Sequence, residues 1–179
     1  MSFPSTSPKV PGYSKEQVDA IYGRAQRQLS NPGLRMLTAE ILGAVKFDLV
    51  RGGYQITAVD EELARLADVF DQRDIRQKIA REGQSAVSQE LNEILKTLRP
   101  ILEKGPKEAF SKTKGGYRPS LVNKLVKKIE IRRSSLSAPD SFTLRTVPLG
   151  RSRRGYSRSE VDDFLALVIA ASHRQEALG

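Results

Sequence analysis

One short pattern occurs four times in this chain and constrains its fold more than any other feature: Gly-Tyr, then Val at the fifth and Asp or Asn at the sixth position after the Tyr. The copies are Gly12, Tyr13, Val18 and Asp19; Gly53, Tyr54, Val59 and Asp60; Gly116, Tyr117, Val122 and Asn123; Gly155, Tyr156, Val161 and Asp162. Four of the five tyrosines of the chain sit in this pattern, which makes chance a poor explanation, and an internal repeat governs the architecture wherever it occurs. Successive motif tyrosines are 41, 63 and 39 residues apart. The copies therefore fall into two pairs separated by an insertion, as a duplicated two-unit module would.

The pattern reads as a helix start. In copy one, Ser14 is the expected N-cap and Gln17 the third helical residue, which together make a capping box, while Tyr13 and Val18 form the hydrophobic staple. Copy four repeats this with Ser157, Glu160, Tyr156 and Val161, and copy three offers Pro119 at the first helical position. Copy two has Gln55 at the cap site, so something else must anchor its turn. Asp19, Asp60 and Asp162 fall in the first helical turn, where a carboxylate complements the helix dipole.

The helices that follow are amphipathic, with apolar positions three and four apart: Val18, Ile21, Tyr22, Ala25, Leu29; Val59, Leu63, Leu66, Phe70; Val122, Leu125, Val126, Ile129; Val161, Phe164, Leu165, Val168. Short units of this kind hide their apolar stripe only against another unit or another chain. The expected fold is therefore mainly α, with tandem turn-helix repeats in two pairs. Residues 1–72 are the first pair, 73–99 a helical linker, and 100–179 the second pair. Further helices are expected from Leu37 to Lys46 with Thr38 as cap, from Ile56 to about Ala80, and from Ser85 to Leu98, the last ended near Pro100. Turns are expected at Asn31-Pro32-Gly33 and at Gly105-Pro106, and a loop from Ser134 to Asp140. Residues 1–12 are expected to be loose. No run shows a sustained strand alternation, although the stretches before each Gly-Tyr are candidates for small extended pairings.

Charge divides the chain unevenly. Residues 1–98 hold 13 Lys and Arg against 13 Asp and Glu, and residues 99–179 hold 17 against 8. The whole excess of +9 lies in the second pair, which makes an anionic partner the expectation there. There is no cysteine, so disulfides, thiolate metal sites and cysteine nucleophiles are excluded. The single histidine, His173, reads as a solvated tail residue. The chain carries no Gly-rich phosphate loop and no metal-ligand spacing, and the adjacent carboxylates Glu61-Glu62 and Asp162-Asp163 read as surface charge. Neither catalysis nor a cofactor is expected. The longest apolar stretch, Phe164 to Ala171, is eight residues, against about 20 for a membrane span. With no leader-like start, a cytoplasmic chain, at most bound at a membrane surface, is expected.

These motifs resemble the N-terminal head domain of the DivIVA cell-division scaffolds, and more closely the actinobacterial DivIVA-domain repeat proteins. Copy two carries the fullest pattern, from Leu37 to Phe47, then Val50, Arg51, Gly52, Gly53, Tyr54, Val59, Asp60 and Leu63. Copy three has Phe110 at the same offset as Phe47, followed by Lys112, Lys114 and Gly115-Gly116-Tyr117. Copy four reads Arg145 to Leu149, then Arg153, Arg154, Gly155, Tyr156, Val161, Asp162, Phe164 and Leu165. The resemblance covers residues 1–72 and about 100–172. It implies a non-enzymatic scaffold or adaptor for bacterial cell division or polar growth. Such a protein binds partners of the division machinery and an anionic membrane surface at a pole or septum, with a dimeric head. Carried over by position, Phe47 and Phe110 are membrane-wedge candidates, with Arg51, Lys112 and Lys114 facing phosphate. Leu149 with Arg151, Arg153 and Arg154 is the fourth-copy equivalent. Copy one departs from the pattern with Thr6 at the wedge position, Phe3 being its nearest substitute. No sustained heptad run is present, so the four units are expected to pack on each other within one chain as an alternative to a homodimer. The competing class is a basic nucleic-acid-binding helical protein, disfavoured by scarce aromatics.

Overall fold

A computed structural model describes residues 3–31 and 33–179. Met1, Ser2 and Pro32 lie outside the described residues, so the expected turn at Asn31-Pro32-Gly33 and the first two residues of the expected loose segment fall partly there. Described in chain order, the elements are β1 (Pro11–Tyr13), α1 (Lys15–Ser30), α2 (Ala39–Ala44), β2 (Leu49–Arg51), α3 (Ile56–Glu82), α4 (Gln84–Lys104), α5 (Pro106–Ala109), β3 (Lys112–Thr113), α6 (Pro119–Val126), β4 (Glu130–Arg132), β5 (Ser135–Ser137), α7 (Ser141–Thr146), β6 (Gly155–Tyr156) and α8 (Arg158–Leu178). The chain is mainly helical with a few short strands. It divides into two compact units, Met1–Asp71 and Gln72–Gly179, and the division falls inside α3.

In the first unit, β1 pairs antiparallel with β2, with Gly12 opposite Val50 and Tyr13 opposite Leu49. Beyond this ladder the two motif tyrosines meet. Tyr13 N–H donates to the Tyr54 carbonyl and Tyr54 N–H donates to the Tyr13 carbonyl, both at 2.9 Å. The second unit repeats this geometry. There β3 pairs antiparallel with β6, Lys112 opposite Tyr156 and Thr113 opposite Gly155. Tyr117 N–H donates to the Tyr156 carbonyl at 2.8 Å and Tyr156 N–H to the Tyr117 carbonyl at 2.9 Å.

The glycine before each tyrosine is dictated by this crossing. A Cβ on Gly12 would lie 2.3 Å from the Tyr54 carbonyl oxygen, and one on Gly53 2.4 Å from that of Tyr13. In the second unit a Cβ on Gly116 would lie 2.2 Å from the Tyr156 oxygen, and one on Gly155 2.3 Å from the Gly116 backbone. Only a residue without a side chain lets two backbones approach this closely.

The helix starts differ from the expected capping boxes. Neither Ser14 nor Ser157 makes a side-chain cap bond. The residue after each motif tyrosine instead donates its N–H to the segment leading into the other motif: Ser14 to the Asp48 carbonyl at 2.9 Å, Gln55 to Pro4 at 2.8 Å, Arg118 to Leu149 at 3.1 Å and Ser157 to Ser111 at 2.8 Å. The backbone of the partner segment takes the N–H that the third-position side chain of a capping box would otherwise satisfy. Gln17, expected to reach back to its own cap, crosses instead to Asp48. Its amide nitrogen donates to the Asp48 carboxylate at 2.8 Å, and its amide oxygen accepts from Asp48 N–H at 2.8 Å. Glu160 does the same for Ser111, accepting from its N–H at 2.6 Å and its hydroxyl at 2.7 Å. The expected loose N-terminal segment is tied down by these bonds and by Thr6 N–H donating to the Gly53 carbonyl at 2.8 Å.

The core of the first unit lies between α1, α2 and the start of α3, around Ala25, Leu37, Leu42, Leu66 and Phe70. Thr38 caps α2 as expected, accepting from Ile41 N–H at 3.1 Å. Gln28, buried on α1, holds the segment before α2: its oxygen accepts from Met36 and Leu37 N–H, and its nitrogen donates to the Leu37 carbonyl at 2.7 Å.

The second unit is built on α4 and α8. The apolar face of α4 (Leu91, Leu95, Leu98) packs with Val161, Phe164, Leu165 and Val168 of α8. Residues 73–99, expected as a linker, therefore supply a wall of this core. The helix also runs through Pro100 to Lys104 rather than stopping. A mid-helix proline costs about 3 kcal/mol, but Leu95 and Leu98 before it and Ile101 and Leu102 after it all pack on the core, each worth about 1.5–3 kcal/mol when buried. His173 corrects the expectation of a solvated tail: α8 continues to Leu178 and buries it to 1% exposure. Glu90 on α4 accepts from Lys78 and from Arg174 Nε at 2.9 Å. The Lys78 bond, more than that of Arg174, holds its carboxyl below the usual range. The segment expected as the Ser134 to Asp140 loop contains β5, hydrogen-bonded to β4 with Ile131 opposite Leu136. Gln175 of α8 clasps this hairpin through Leu136 N–H at 2.7 Å and the Leu136 carbonyl at 3.0 Å. Strands of two and three residues are too short to show an alternation in sequence.

Replacing Gly12, Gly53, Gly116 or Gly155 by Ala is expected to destabilise the chain by about 3 kcal/mol, because backbone rather than a flexible side chain stands in the way. Gly23→Ala, at a helical position with nothing within 4 Å of the added carbon, is expected to stabilise by about 0.5–1 kcal/mol. Urea midpoints of the five variants check the contrast.

Candidate functional site

The backbone crossing in each unit builds a tip, and the tips carry the residues picked out by sequence. In the second unit, the Tyr117–Arg151 bridge and the bond from Ser152 N–H to the Gly116 carbonyl at 2.9 Å bring the 151–154 loop against the 112–116 turn. Lys112, Lys114, Arg151, Arg153 and Arg154 are thereby gathered from two chain segments, and all five are exposed. Among the described residues, none of the five is paired with a carboxylate. The nearby acids are engaged elsewhere: Glu160 on Ser111 and Asp162 on the Tyr117 hydroxyl at 2.8 Å. The tip is a cluster of uncompensated cations held on paired backbone.

The first unit places different chemistry on the same register. Leu49 and Val50 stand where Lys112 and Thr113 stand in the second unit. They are 60% and 41% exposed, with Val10 beside them at 48%. Arg51 is exposed at this tip as expected.

The wedge candidates require correction. Phe110 is 5% exposed and stacks edge-on against Tyr156 and Phe164, at 5.8 Å and 5.6 Å between ring centres. Leu149 is also 5% exposed and belongs to the same core. Neither reaches a membrane from this position. Phe47 is half-buried with its ring 5.1 Å from that of Tyr13, and Phe3 takes the matching place 5.4 Å from Tyr54. Phe3, Phe47 and Phe110 all fill the space beside the partner motif's tyrosine; Phe47 and Phe110 do so from the same offset, and Phe3 from a different one.

The expectation that Asp19, Asp60 and Asp162 sit in the first helical turn is corrected: the first-turn acids are Glu16 in α1 and Glu160 in α8, α3 has none, and the three aspartates lie deeper, facing tyrosines. Tyr54 hydroxyl donates to Asp19 at 3.2 Å and Tyr117 hydroxyl to Asp162, so each bond joins one motif's tyrosine to the other motif's helix. Asp60 faces the Tyr13 hydroxyl in the same sense. Burial, followed by the Asp60 charge, raises the Tyr13 hydroxyl above its ordinary value of 10.0. Burial, followed by the bond to Asp162, raises that of Tyr117, while Arg158, 5.4 Å above its ring, opposes the rise. Asn123, the fourth member of the set, keeps its side-chain oxygen buried without a hydrogen-bond partner.

Sequence reasoning missed the crossing pairs Gln17–Asp48 and Glu160–Ser111. Their signal was present: Gln17 and Glu160 lie four residues after their tyrosines, and the copies carrying Ala58 and Leu121 at that place are the ones led by Phe47-Asp48 and Phe110-Ser111. Among the described residues no cluster of three or more His, Asp or Glu could hold a metal ion, and no helix is long and apolar enough to cross a membrane. Comparison with protein-family models, with curated proteins and with solved structures gives no match, so the site rests on its own geometry.

Phe110→Ala is expected to cost about 3–5 kcal/mol of folding stability, as for a buried aromatic, and the half-buried Phe47→Ala about 1–2 kcal/mol. Denaturant unfolding checks both. Because the folded hydroxyls of Tyr13 and Tyr117 ionise above 10.0, their contribution to stability is full below that pH and is lost as pH rises through the folded value. Ultraviolet titration of tyrosinate, with Tyr13→Phe and Tyr117→Phe as references, is expected to show two late-ionising hydroxyls that vanish one per substitution.

Proposed function

We propose that this chain is a non-enzymatic adaptor resembling DivIVA-domain proteins, acting in bacterial cell division or polar growth. In this reading each unit is a pair of turn-helix repeats, and the tips are its binding surfaces. The observation that carries the reading is the cationic tip of the second unit. Five exposed, uncompensated Lys and Arg side chains sit on backbone that is hydrogen-bonded from both sides. Such a cluster attracts an acidic protein surface or an anionic membrane.

The burial of Phe110 and Leu149 changes how a membrane would be met. Without an apolar wedge, binding rests on charge alone, at about 1 kcal/mol for each basic side chain near the lipid surface. It is weak, reversible and screened by salt. The apolar tip of the first unit suits a protein partner instead. Nucleic-acid binding gains little support, because Phe142 is the sole exposed aromatic side chain among the described residues, and base stacking needs exposed rings. Since every motif tyrosine finds its partner within the chain, a monomer is favoured over a homodimer in solution.

Co-sedimentation with vesicles tests the membrane part. The chain is expected to bind anionic vesicles at low salt, to be released at high salt, and to ignore neutral vesicles. The triple substitution of Arg151, Arg153 and Arg154 by Gln is expected to weaken binding by about 3 kcal/mol. No binding at low salt would remove the membrane from the reading and leave the protein adaptor. Light scattering at a mass of two chains would overturn the monomer.

A further inference from the structure

Elements that contribute nothing to the tips form a cleft of about 210 Å³ in the second unit, between one face of α4 and the turn of the β4–β5 hairpin. Its cations come from both sides: Lys96 and Arg99 from the helix, Arg133 from the turn, with the Ser134 hydroxyl beside them. Leu95 and Pro100 supply the apolar wall. Arg99 donates to the Arg133 carbonyl at 2.8 Å, which fixes the turn against the helix.

The turn itself is unusual. Arg133 has φ of 55°, and among the described residues it is the sole non-glycine with positive φ. Gly or Asn makes such a turn at less steric cost. A long cationic side chain held in this conformation, at the mouth of a cleft, points to a role for the side chain itself. The acids do not cancel it. Glu93 lies 3.9 Å from Lys96 and Glu103 lines the cleft with three cations, so the lining keeps a positive excess, and among the described residues neither Arg99 nor Arg133 is ion-paired with a carboxylate.

Two arginines and a serine lining one cleft carry the donor chemistry that suits a doubly charged phosphate, which arginine binds in a forked, bidentate manner. The cleft is open to solvent on one side and, at about 210 Å³, has room for one phosphate and a small attached group. We propose that this cleft binds a phosphate monoester dianion, with Arg99 and Arg133 on its oxygens and Ser134 donating a third bond. The proposal stands apart from the adaptor reading, since it uses neither tip. A small phosphorylated metabolite and a phosphorylated side chain of a partner protein present the same group.

Calorimetric titration of the full chain at neutral pH and low ionic strength, with O-phosphoserine, a phosphoserine peptide and inorganic sulfate, tests it. Saturable one-to-one binding of both phosphate probes, with sulfate weaker, is expected. A tighter peptide assigns the source to a protein, and equal affinities to a small molecule. Arg133→Gly is expected to weaken binding about tenfold or more while melting no lower than the parent, since glycine accepts the turn. Arg99→Gln is expected to weaken it similarly, and Lys127→Gln, an equal loss of charge on the surface outside the cleft, to leave it unchanged. No saturable binding by either phosphate probe, undiminished binding by Arg133→Gly, or an equal loss in Lys127→Gln would each overturn the proposal.

Discussion

Two reciprocal pairs of backbone hydrogen bonds, Tyr13 with Tyr54 in the first unit and Tyr117 with Tyr156 in the second, each close one unit on itself. Each pair closes a loop of about 40 residues, and the entropy of closing it is recovered only if everything nearby agrees with the crossing. That agreement is visible residue by residue. Glycine beside each tyrosine lets the backbones touch. The tyrosine hydroxyls of Tyr54 and Tyr117 reach acids on the opposite helix, Asp19 and Asp162. Phe3, Phe47 and Phe110 lean on the opposite tyrosine.

The crossing also explains how four helices start without side-chain caps of the expected kind. A helix leaves its first N–H groups unpaired. Here the lead segment of the partner motif lies across the helix start and offers carbonyls from Asp48, Pro4, Leu149 and Ser111. The capping side chains are released from that duty, and Gln17 and Glu160 spend their polar groups on the partner segment. Helix initiation and motif pairing are thus one event, and neither half of a unit is complete alone.

Because the aromatic rings turn inward to stabilise the crossing, the tips display what is left: strand-edge side chains and loop residues. On one register the first unit shows Leu49 and Val50, and the second shows Lys112 and Thr113 with three arginines from the facing loop. Two like scaffolds thus present an apolar surface and a cationic one.

The sequence by itself determined the mainly helical character, the motif positions and the longer helices, since apolar periodicity, glycine and the recurrence of Gly-Tyr are local signals that survive without coordinates, whereas the short α5 and α7 carried no such signal. It also located the excess positive charge. It did not decide which groups the motifs spend on each other. Gln17 suits a capping box as well as a bond to Asp48, and Phe110 suits a membrane wedge as well as a core, because a side chain's partner is set by what the fold brings within about 3–4 Å. The same limit hid the burial of His173, the passage of α4 through Pro100 and the β4–β5 hairpin. In each of these, packing against α4 or α8 outweighed a local preference, and burial of apolar surface is a property of the assembled unit rather than of any segment within it.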